Sequence, residues 1–468
     1  MGGVATIILA AGKGTRMKSE VVKVLHPILG LPMLSYPIAL SLNGIKAEKT
    51  IVVVGYQAGQ IKERFKNAQI QFVLQEEQLG TGHAALQAIP FLKAFTGTAV
   101  ILCGDVPLVK ADTLRAFIGA FEGSHSILSV LTTIVEDPFG YGRILRSPEG
   151  WLEKIVEERD ASERERSVRE INTGIYCVKT PFLVEGLGEI GKDNAQGEYY
   201  LTDLVEIAKK KGLKCSAHIV SDPVEVMGIN TRVDLAMANE VLREAKVKDL
   251  MLSGVTMVDP KTTYVDQTVE VGKDTILHPN CHLQGRTKIG ERCVIEPNSK
   301  VSDSIVGNEV TIRSNSVITE SKIEEGASIG PFSHLRPLSE VKTKAKIGNF
   351  VEVKKSVIGR GSKANHLTYI GDSMVGEDVN IGAGTITCNY DGIEKHPTII
   401  GDRVFVGSNV ELVAPVKVGN GSTIGAGSTI TKDVPGGALA ISRTKQKNIR
   451  GWSKKIGNRR KKMKNKKG

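Results

Sequence analysis

The apolar run 4–10 leads into Ala11-Gly12-Lys13-Gly14-Thr15-Arg16-Met17, a turn with two glycines and two cations. Glycines let backbone N–H groups approach a phosphate, and Lys13 and Arg16 supply positive charge. The familiar alternatives fail on residue type. A dinucleotide fingerprint needs a third glycine where Met17 stands, and a Walker A loop needs four residues between its glycines and then Lys-Ser/Thr. Such a turn alone is a weak signal, but three residues strengthen it. Lys23 follows in a Val-Lys-Val-Leu-His-Pro context. Asp105 closes the apolar run 99–103, and a carboxylate at the C-terminal end of a parallel strand lies where such sheets bind ligands. Asn230, after a short strand expected over residues 225–229, offers a second oxygen. One Asp and one Asn, completed by water and phosphate oxygens, suit Mg²⁺.

The C-terminal half carries a second set of reactive side chains. Its segments are His334-Leu335-Arg336-Pro337, Asn349-Phe350-Val351-Glu352-Val353-Lys354-Lys355 and Asn365-His366-Leu367-Thr368-Tyr369-Ile370-Gly371-Asp372. Asn380 and the stretch Cys388-Asn389-Tyr390-Asp391-Gly392 follow. A lone histidine in such a region is ordinarily structural. His366 instead shares its neighbourhood with Tyr, Asn and two cations, a set suited to proton transfer on a phosphorylated substrate.

The elements that must position these groups differ between the two halves. Up to about residue 230, β-rich runs at 4–10, 50–54 and 99–102 each end near a glycine. Helical stretches such as 81–86 lie between them, which implies a mostly parallel α/β sheet. From 231 to 253 the pattern becomes helical. Thr231 and Asp234 make a capping box, and Val241, Leu242, Ala245 and Leu250 fit one helical face. Beyond it an aliphatic residue recurs every sixth position: Val271, Leu277, Leu283, Ile289, Ile295, Val301; then Ile323, Ile329, Leu335, Val341, Ile347, Val353; then Ile400, Val406, Leu412, Val418, Ile424, Ile430. Neither a helix nor a simple strand has that period. A triangular parallel β-helix does, with one inward aliphatic per side and small residues at the corners. The repeat starts near Val265 and ends near Val434, or roughly nine coils at about 18 residues each. Five-residue steps from Val301 to Val306 and from Ile318 to Ile323 trim two corners, and residues 388–398 form a loop leaving the solenoid. The expected domains are 1–232, a helical linker 233–253, the solenoid 254–442 and a tail 443–468.

Charge and cysteines narrow the class. The net charge of +11 suggests nucleic acid until it is located. From Arg443 to Gly468 there are 13 Lys and Arg and no acids, which leaves residues 1–442 at −2. The basicity is therefore a tail, expected to be solvated and disordered, with nonspecific attraction for polyanions. Cys103, Cys177, Cys215, Cys281, Cys293 and Cys388 show no metal-type spacing and are expected to be reduced and mostly buried. No apolar run reaches membrane-spanning length. The expected setting is the cytoplasm.

On these motifs the chain resembles the sugar-nucleotide pyrophosphorylases. More closely, it resembles the family of bifunctional N-acetylglucosamine-1-phosphate uridyltransferase/glucosamine-1-phosphate N-acetyltransferases. The likeness continues through Gly80-Thr81-Gly82-His83-Ala84, Gly104-Asp105-Val106-Pro107-Leu108, Gly140-Tyr141-Gly142-Arg143 and Asn172-Thr173-Gly174-Ile175. The resemblance implies a left-handed parallel β-helix after a Rossmann-like domain. It implies that Leu9, Ala10, Ala11, Gly12, Lys13, Arg16, Lys23, Cys103 and Gly104 surround UTP and its phosphates, with Gln75, Gly80 and Thr81 on the uracil. Gly142, Glu157 and Asn172 would hold the sugar, and Asp105 and Asn230 a Mg²⁺ ion. The sugar-1-phosphate, already anionic, would attack the α-phosphorus of UTP without a general base. The reaction then needs only charge relief and in-line geometry. In the solenoid the resemblance implies Arg336, Lys354, Tyr369 and Asn380 around glucosamine-1-phosphate. His366 would be the general base, and Asn389, Tyr390, Ser408, Ala426 and Arg443 would contact acetyl-CoA. It implies a homotrimer through the β-helix and a role in supplying cell-wall precursors. Two other readings stand beside this one: a single-activity sugar nucleotidyltransferase with a structural β-helix, and an assembly subunit that binds RNA through its tail.

Overall fold

The computed structural model describes residues 3–466, in two compact units that meet in sequence between Lys246 and Val247. The N-terminal unit is built on a mixed, mostly parallel sheet. Its strands run in the order Cys215–Ile219, Leu128–Ile134, Glu170–Lys179, Thr98–Cys103, Val4–Ala10, Lys49–Val54, Gln71–Leu74. Val4–Ala10 is parallel to both neighbours, and its Ile7, Ile8 and their partners Ile51, Val52 and Ile101 are wholly buried. Continuous β-branched runs of this kind are what a two-sided buried strand requires. Glu170–Lys179 runs antiparallel between two neighbours, and its register breaks between Asn172 and Ile175. That bulge releases Thr173-Gly174 from the ladder and re-aims Asn172.

The connecting segments modify the sequence expectations. Residues 225–229 are not a strand. Pro223–Val226 is a 3₁₀ turn whose start is capped by Asp222, which accepts from the Val224 N–H at 3.1 Å. A proline at the first turn presets φ and removes a ladder donor, so helical geometry wins. The helix Arg232–Leu252 opens on the expected capping box. Asp234 N–H donates to Thr231 Oγ1 at 3.2 Å, and Asp234 Oδ2 accepts from the Thr231 N–H at 2.8 Å. Its buried stripe is Leu235, Ala238, Val247 and Leu250, whereas Val241 and Ala245 face solvent. Leu235 and Ala238 pack with Met17, Ile28 and Leu108, while Leu250 joins the solenoid core. The helix changes its inward face along its length, so a single stripe does not describe it.

The second unit is a triangular parallel β-helix, consistent with the left-handed form the resemblance implies. Three parallel sheets of 11, 10 and 9 short strands form its sides. The first strand is Thr256–Met257 and the last Leu439–Ala440, so the solenoid extends beyond the aliphatic repeat at both ends. Terminal coils cover only one neighbour and can depart from the repeat pattern. Inside, the sixth-position aliphatics stack in columns, such as Ile329 beside Ile347 and Leu335 beside Val353. Each such side chain is worth about 1.5–3 kcal/mol of burial. Buried Ser and Thr line the corners and bond the backbone; Ser339 Oγ donates to the Arg336 carbonyl at 2.6 Å. Many corners need a left-handed residue, and Asn280, Asn298 and Asn315 meet that need as Asn ordinarily does. The same column then holds Phe332, Phe350 and Leu367 at φ of 50–57°. Bulky residues there are strained.

Residues 389–397 leave the solenoid as a loop closed by a Tyr390–Lys395 bridge, while Cys388 and Thr398, expected in the loop, remain in solenoid strands. The basic segment is a helix over Trp452–Lys464, exposed along its described side chains, rather than the unstructured tail expected; residues 467–468 lie outside the described residues. All six cysteines are free, four buried and two partly so. Leu335 is fully buried at a solenoid mid-coil, so Leu335→Ala should cost about 2–5 kcal/mol. Urea unfolding should show the solenoid transition moving to lower denaturant while that of the N-terminal unit stays in place.

Candidate active sites

The N-terminal candidates meet because adjacent parallel strands stop at one level. Val4–Ala10 delivers the glycine-rich turn, Thr98–Cys103 delivers Gly104-Asp105, and Gln71–Leu74 delivers Gln75. Gly104 N–H donates to the Leu9 carbonyl at 2.8 Å, and Gln75 N–H to the Val54 carbonyl at 2.7 Å. The result is a cleft of about 430 Å³ that includes Leu9, Ala10, Ala11, Gly12, Arg16, Lys23, Gln75, Gly80, Thr81, Cys103, Asp105 and Asn230 in its lining. Gly14 is obligatory there. Its φ is 62°, and a Cβ would lie 2.5 Å from that of Lys23. A Cβ on Gly12 would instead meet nothing within 4 Å. That open backbone is a cradle for an anion. Lys13 is exposed and does not line the cleft, because the turn points its side chain away.

Charge in the cleft is tightly organised. Lys23 Nζ hydrogen-bonds both Asp105 and Asn230, the latter at 2.8 Å, and Arg16 donates to the same Asn230 oxygen at 2.8 Å. The donor set fits a divalent cation: a carboxylate and an amide oxygen already converge on one positive charge. Among the described residues no cluster of three or more His, Cys, Asp or Glu could hold a metal alone. That suits an ion which takes its remaining ligands from phosphate and water. Burial and the neighbouring Asp105 push the Cys103 thiol up to about 12, so it stays protonated at neutral pH. Gln75 donates to the Gly80 carbonyl at 3.1 Å and is paired with His83, which fixes its amide. Thr81 Oγ1 accepts from the Leu201 N–H at 3.1 Å.

Gly142, Glu157 and Asn172 form a neighbouring group. A Cβ on Gly142 would lie 3.4 Å from both Asn172 Cβ and Glu157 Oε1. The bulge links this group to the cleft: Asn172 Oδ1 accepts from the Gly174 N–H at 2.9 Å, and Cys103 Sγ lies against Gly174. Burial, with Asp160 and Asp203 nearby, raises the Glu157 pKa. Sequence reasoning missed Gln78 and Glu198, which also line the cleft. Glu198 comes from a loop distant in sequence, and no local motif marks it.

In the solenoid, coil-on-coil register assembles the second site. Lys346–Asn349 lies beside Lys363–His366, with Asn349 directly opposite His366. His366 Nδ1 is 2.7 Å from Asn349 Oδ1. An amide oxygen accepts only, so the proton sits on Nδ1 and Nε2 keeps a free lone pair. Glu352–Lys354 lies beside Tyr369–Gly371 in the next sheet. Arg336 pairs with Glu352 at 2.8 Å, Lys354 with Asp372 at 3.2 Å, and Asn389 Nδ2 donates to Asp372 at 2.5 Å and to Tyr369 Oη at 3.5 Å. Gly371 permits this convergence, since a Cβ there would lie 2.4 Å from the Tyr369 hydroxyl. Burial pushes the Asp372 carboxyl up, but hydrogen bonds from Asn389 and Lys354 outweigh it and hold the pKa below the usual value.

Arg443 donates to the Ala426 carbonyl at 2.6 Å, and Ser408 O accepts from Gly427, the residue after Ala426, at 2.9 Å. Asn380 lies on the coil next to His366, opposite Lys363, whereas the Ser408, Ala426 and Arg443 patch lies on coils further along. Tyr390 is exposed on the loop, its hydroxyl bonded to the Gly392 carbonyl. Asn349, Asp372 and Lys395 were not singled out from sequence. The Lys395 ammonium, facing Lys354 and further from Arg336, has its pKa lowered by those cations. Cations crowded in this way mark an anion site.

The family models agree with this division. A MobA-like NTP transferase domain matches residues 6–170, and bacterial transferase hexapeptide repeats match 268–303, 286–320 and 397–432. The chain is 53% identical to the "Bifunctional protein GlmU" of Pelobacter propionicus, over 97% of this chain and 98% of that protein. It is 51% identical to the protein of that name from Geotalea uraniireducens, over 97% and 100%. The identity is 47% to that from Geobacillus thermodenitrificans, over 97% and 98%.

Asp203, in the recess lined by Glu157 and Asp160, has its pKa raised to about 6, first by burial and then by Glu206. A carboxyl raised in the folded state penalises folding above that pKa, and the penalty vanishes below the ordinary carboxyl value. Asp203→Asn should therefore raise the melting temperature of the N-terminal unit at pH 8, with the gain shrinking as pH falls below about 6 and lost below 3.8, as read by calorimetry.

Proposed function

The chain belongs to the bifunctional GlmU family, which joins an acetyltransferase and a uridyltransferase in one polypeptide, and on that premise we propose the substrates and residue roles. The solenoid transfers acetyl from acetyl-CoA to glucosamine-1-phosphate. The N-terminal unit then transfers uridylyl from UTP to N-acetylglucosamine-1-phosphate and releases pyrophosphate. The observation that carries the two-activity reading is the Asn349–His366 pair, on neighbouring coils that also carry the Arg336–Glu352 and Lys354–Asp372 ion pairs. A scaffold coil needs neither an oriented imidazole nor an anion pocket.

In the acetyl transfer, Arg336, Lys354 and Lys395 hold the sugar phosphate, with Tyr369 and Asn380 against the sugar. The substrate amine attacks the thioester carbonyl, and His366 Nε2 takes its proton as the C–N bond forms. The C–S bond breaks, and the CoA thiolate leaves and takes up the proton held by His366, giving the free thiol. Asn349 keeps the imidazole in the tautomer that leaves Nε2 basic. Asn389, Tyr390, Ser408, Ala426 and Arg443 contact acetyl-CoA.

In the uridylyl transfer, Gln75, Gly80 and Thr81 read the uracil, while Gly142, Glu157 and Asn172 orient the sugar. The residues Leu9 to Gly12, with Arg16, Lys23, Cys103 and Gly104, surround the nucleotide and its phosphates; Lys13 adds charge from outside the lining. Asp105 and Asn230 hold the divalent cation, Mg²⁺, which when bound offsets phosphate charge and favours an in-line approach. No protein base is required, since the attacking phosphate oxygen is already ionised.

The active assembly is a homotrimer through the β-helix. Phe332 and Phe350 stack at 5.3 Å, and with Leu367 they are half-exposed or more, beside His366. A strained apolar ridge at that place supports cover by a second copy. The acetyl-CoA patch, coils away from His366, fits completion of the site by a neighbour. Six free cysteines suit the reducing cytoplasm, and among the described residues no helix is long and apolar enough to cross a membrane.

Release of CoA thiol from acetyl-CoA is the deciding assay. Sugar-phosphate-dependent release establishes the solenoid as a catalyst; its absence, with uridylyl transfer intact, reduces the solenoid to a scaffold. His366→Ala should lower acetylation by about 10²–10⁴-fold and spare pyrophosphate release. Asp105→Ala should abolish pyrophosphate release and spare acetylation.

A further inference from the structure

The Lys23 ammonium stands where a divalent cation belongs. It bridges Asp105 and Asn230, and its side chain is only 11% exposed. The backbone fixes this position. Lys23 opens a 3₁₀ turn, Lys23–Leu25, and its Cβ fills the space left by the missing side chain of Gly14. Arg16 shares the Asn230 oxygen at 2.8 Å, so the carboxylate and the amide oxygen are both engaged by protein cations. A bare metal ion would have to share them with a like charge at hydrogen-bond distance in a part-buried site, where Coulomb repulsion far exceeds thermal energy. Moving Lys23 away with nothing in exchange would leave a part-buried ammonium without a partner. A triphosphate offers that partner, and the adjoining backbone of Gly12 is open for it.

On the uridyltransferase reading of this cleft, on which this rests, we propose that Lys23 is a resident counter-ion of the metal site, displaced when cation and nucleotide arrive together. In the free protein it keeps Asp105 paired. Phosphate draws Lys23 off, which frees the two oxygens for the divalent ion. Metal and nucleotide binding are thereby coupled through one side chain, each removing an obstacle to the other. Lys23 thus has a role before chemistry, distinct from any contact it makes in the reaction.

The test is direct binding of Mn²⁺ to the full chain without nucleotide, read by electron paramagnetic resonance of the free ion. Wild type should bind weakly. Lys23→Met and Lys23→Gln should each bind about ten-fold tighter or more, since a charge at contact distance is removed. Lys13→Met removes equal charge from the nearby glycine-rich turn but not from the two oxygens, and exposed charge is screened, so its affinity should stay within about two-fold of wild type. Adding Asp105→Asn to Lys23→Met should erase the gain. The displacement idea fails if neither Lys23 variant gains affinity while fold is retained by circular dichroism, or if Lys13→Met gains as much. A gain that survives Asp105→Asn would reject Asp105 as the metal ligand, and with it the reading of the cleft.

Discussion

Parallel strands held in fixed register decide which side chains meet in both halves of this chain. In the N-terminal sheet, Val4–Ala10 pairs residue for residue with Lys49–Val54 and with Thr98–Cys103. Their C-terminal ends therefore open at one level, and the glycine-rich turn, Gln75 and Asp105 converge from segments far apart in sequence. In the solenoid the same rule acts along the axis. Each residue lies beside its equivalent one coil on, which sets Asn349 against His366 and Glu352 against Tyr369. A slip of one residue would invert every side chain between core and surface. The buried aliphatic columns prevent it.

On that frame, both candidate sites hold their cations in ion pairs. Lys23 is paired with Asp105, Arg336 with Glu352 and Lys354 with Asp372. Half-buried ammonium and guanidinium groups without partners would destabilise the fold. Paired ones are held in defined positions by the carboxylates beside them. Left-handed non-glycine residues recur along the chain, and some of them border the candidate sites. The bulge at Thr173-Gly174 re-aims Asn172, and the left-handed Phe332, Phe350 and Leu367 run past His366. Regular structure elsewhere tolerates these departures because the core is continuous on either side of them.

Where sequence reading went astray, the cause was local chemistry overriding a pattern. Residues 225–229 carry a β-like composition, but Pro223 and the Asp222 cap commit 225–226 to a 3₁₀ turn, and 227–229 follow as irregular chain. The helix Arg232–Leu252 buries two different faces in succession, so Val241 and Ala245 lie in water despite fitting one stripe. Lys13 sits in the anion-binding turn yet projects out of it, a matter of backbone direction that composition does not encode. Glu198 and Lys395 reach their sites from loops without a motif, and only the folded backbone brings them in.

The sequence by itself determined the architecture and the chemical repertoire. A six-residue aliphatic period admits one kind of solenoid, and the alternating strand and helix runs admit a mostly parallel sheet. Gly12, Gly14, Asp105 and His366 stood out as candidates because backbone approach, metal ligation and proton transfer each demand those residue types, and the structure sets the first three at one cleft and His366 against Asn349. The tertiary structure alone decided the pairings: Lys23 between Asp105 and Asn230, Asn349 on His366 Nδ1, Gly371 yielding space to Tyr369 and Asn389. These contacts span up to 207 residues of sequence. They depend on strand register and corner geometry, which arise from the packing of the whole core and from no local run of residues.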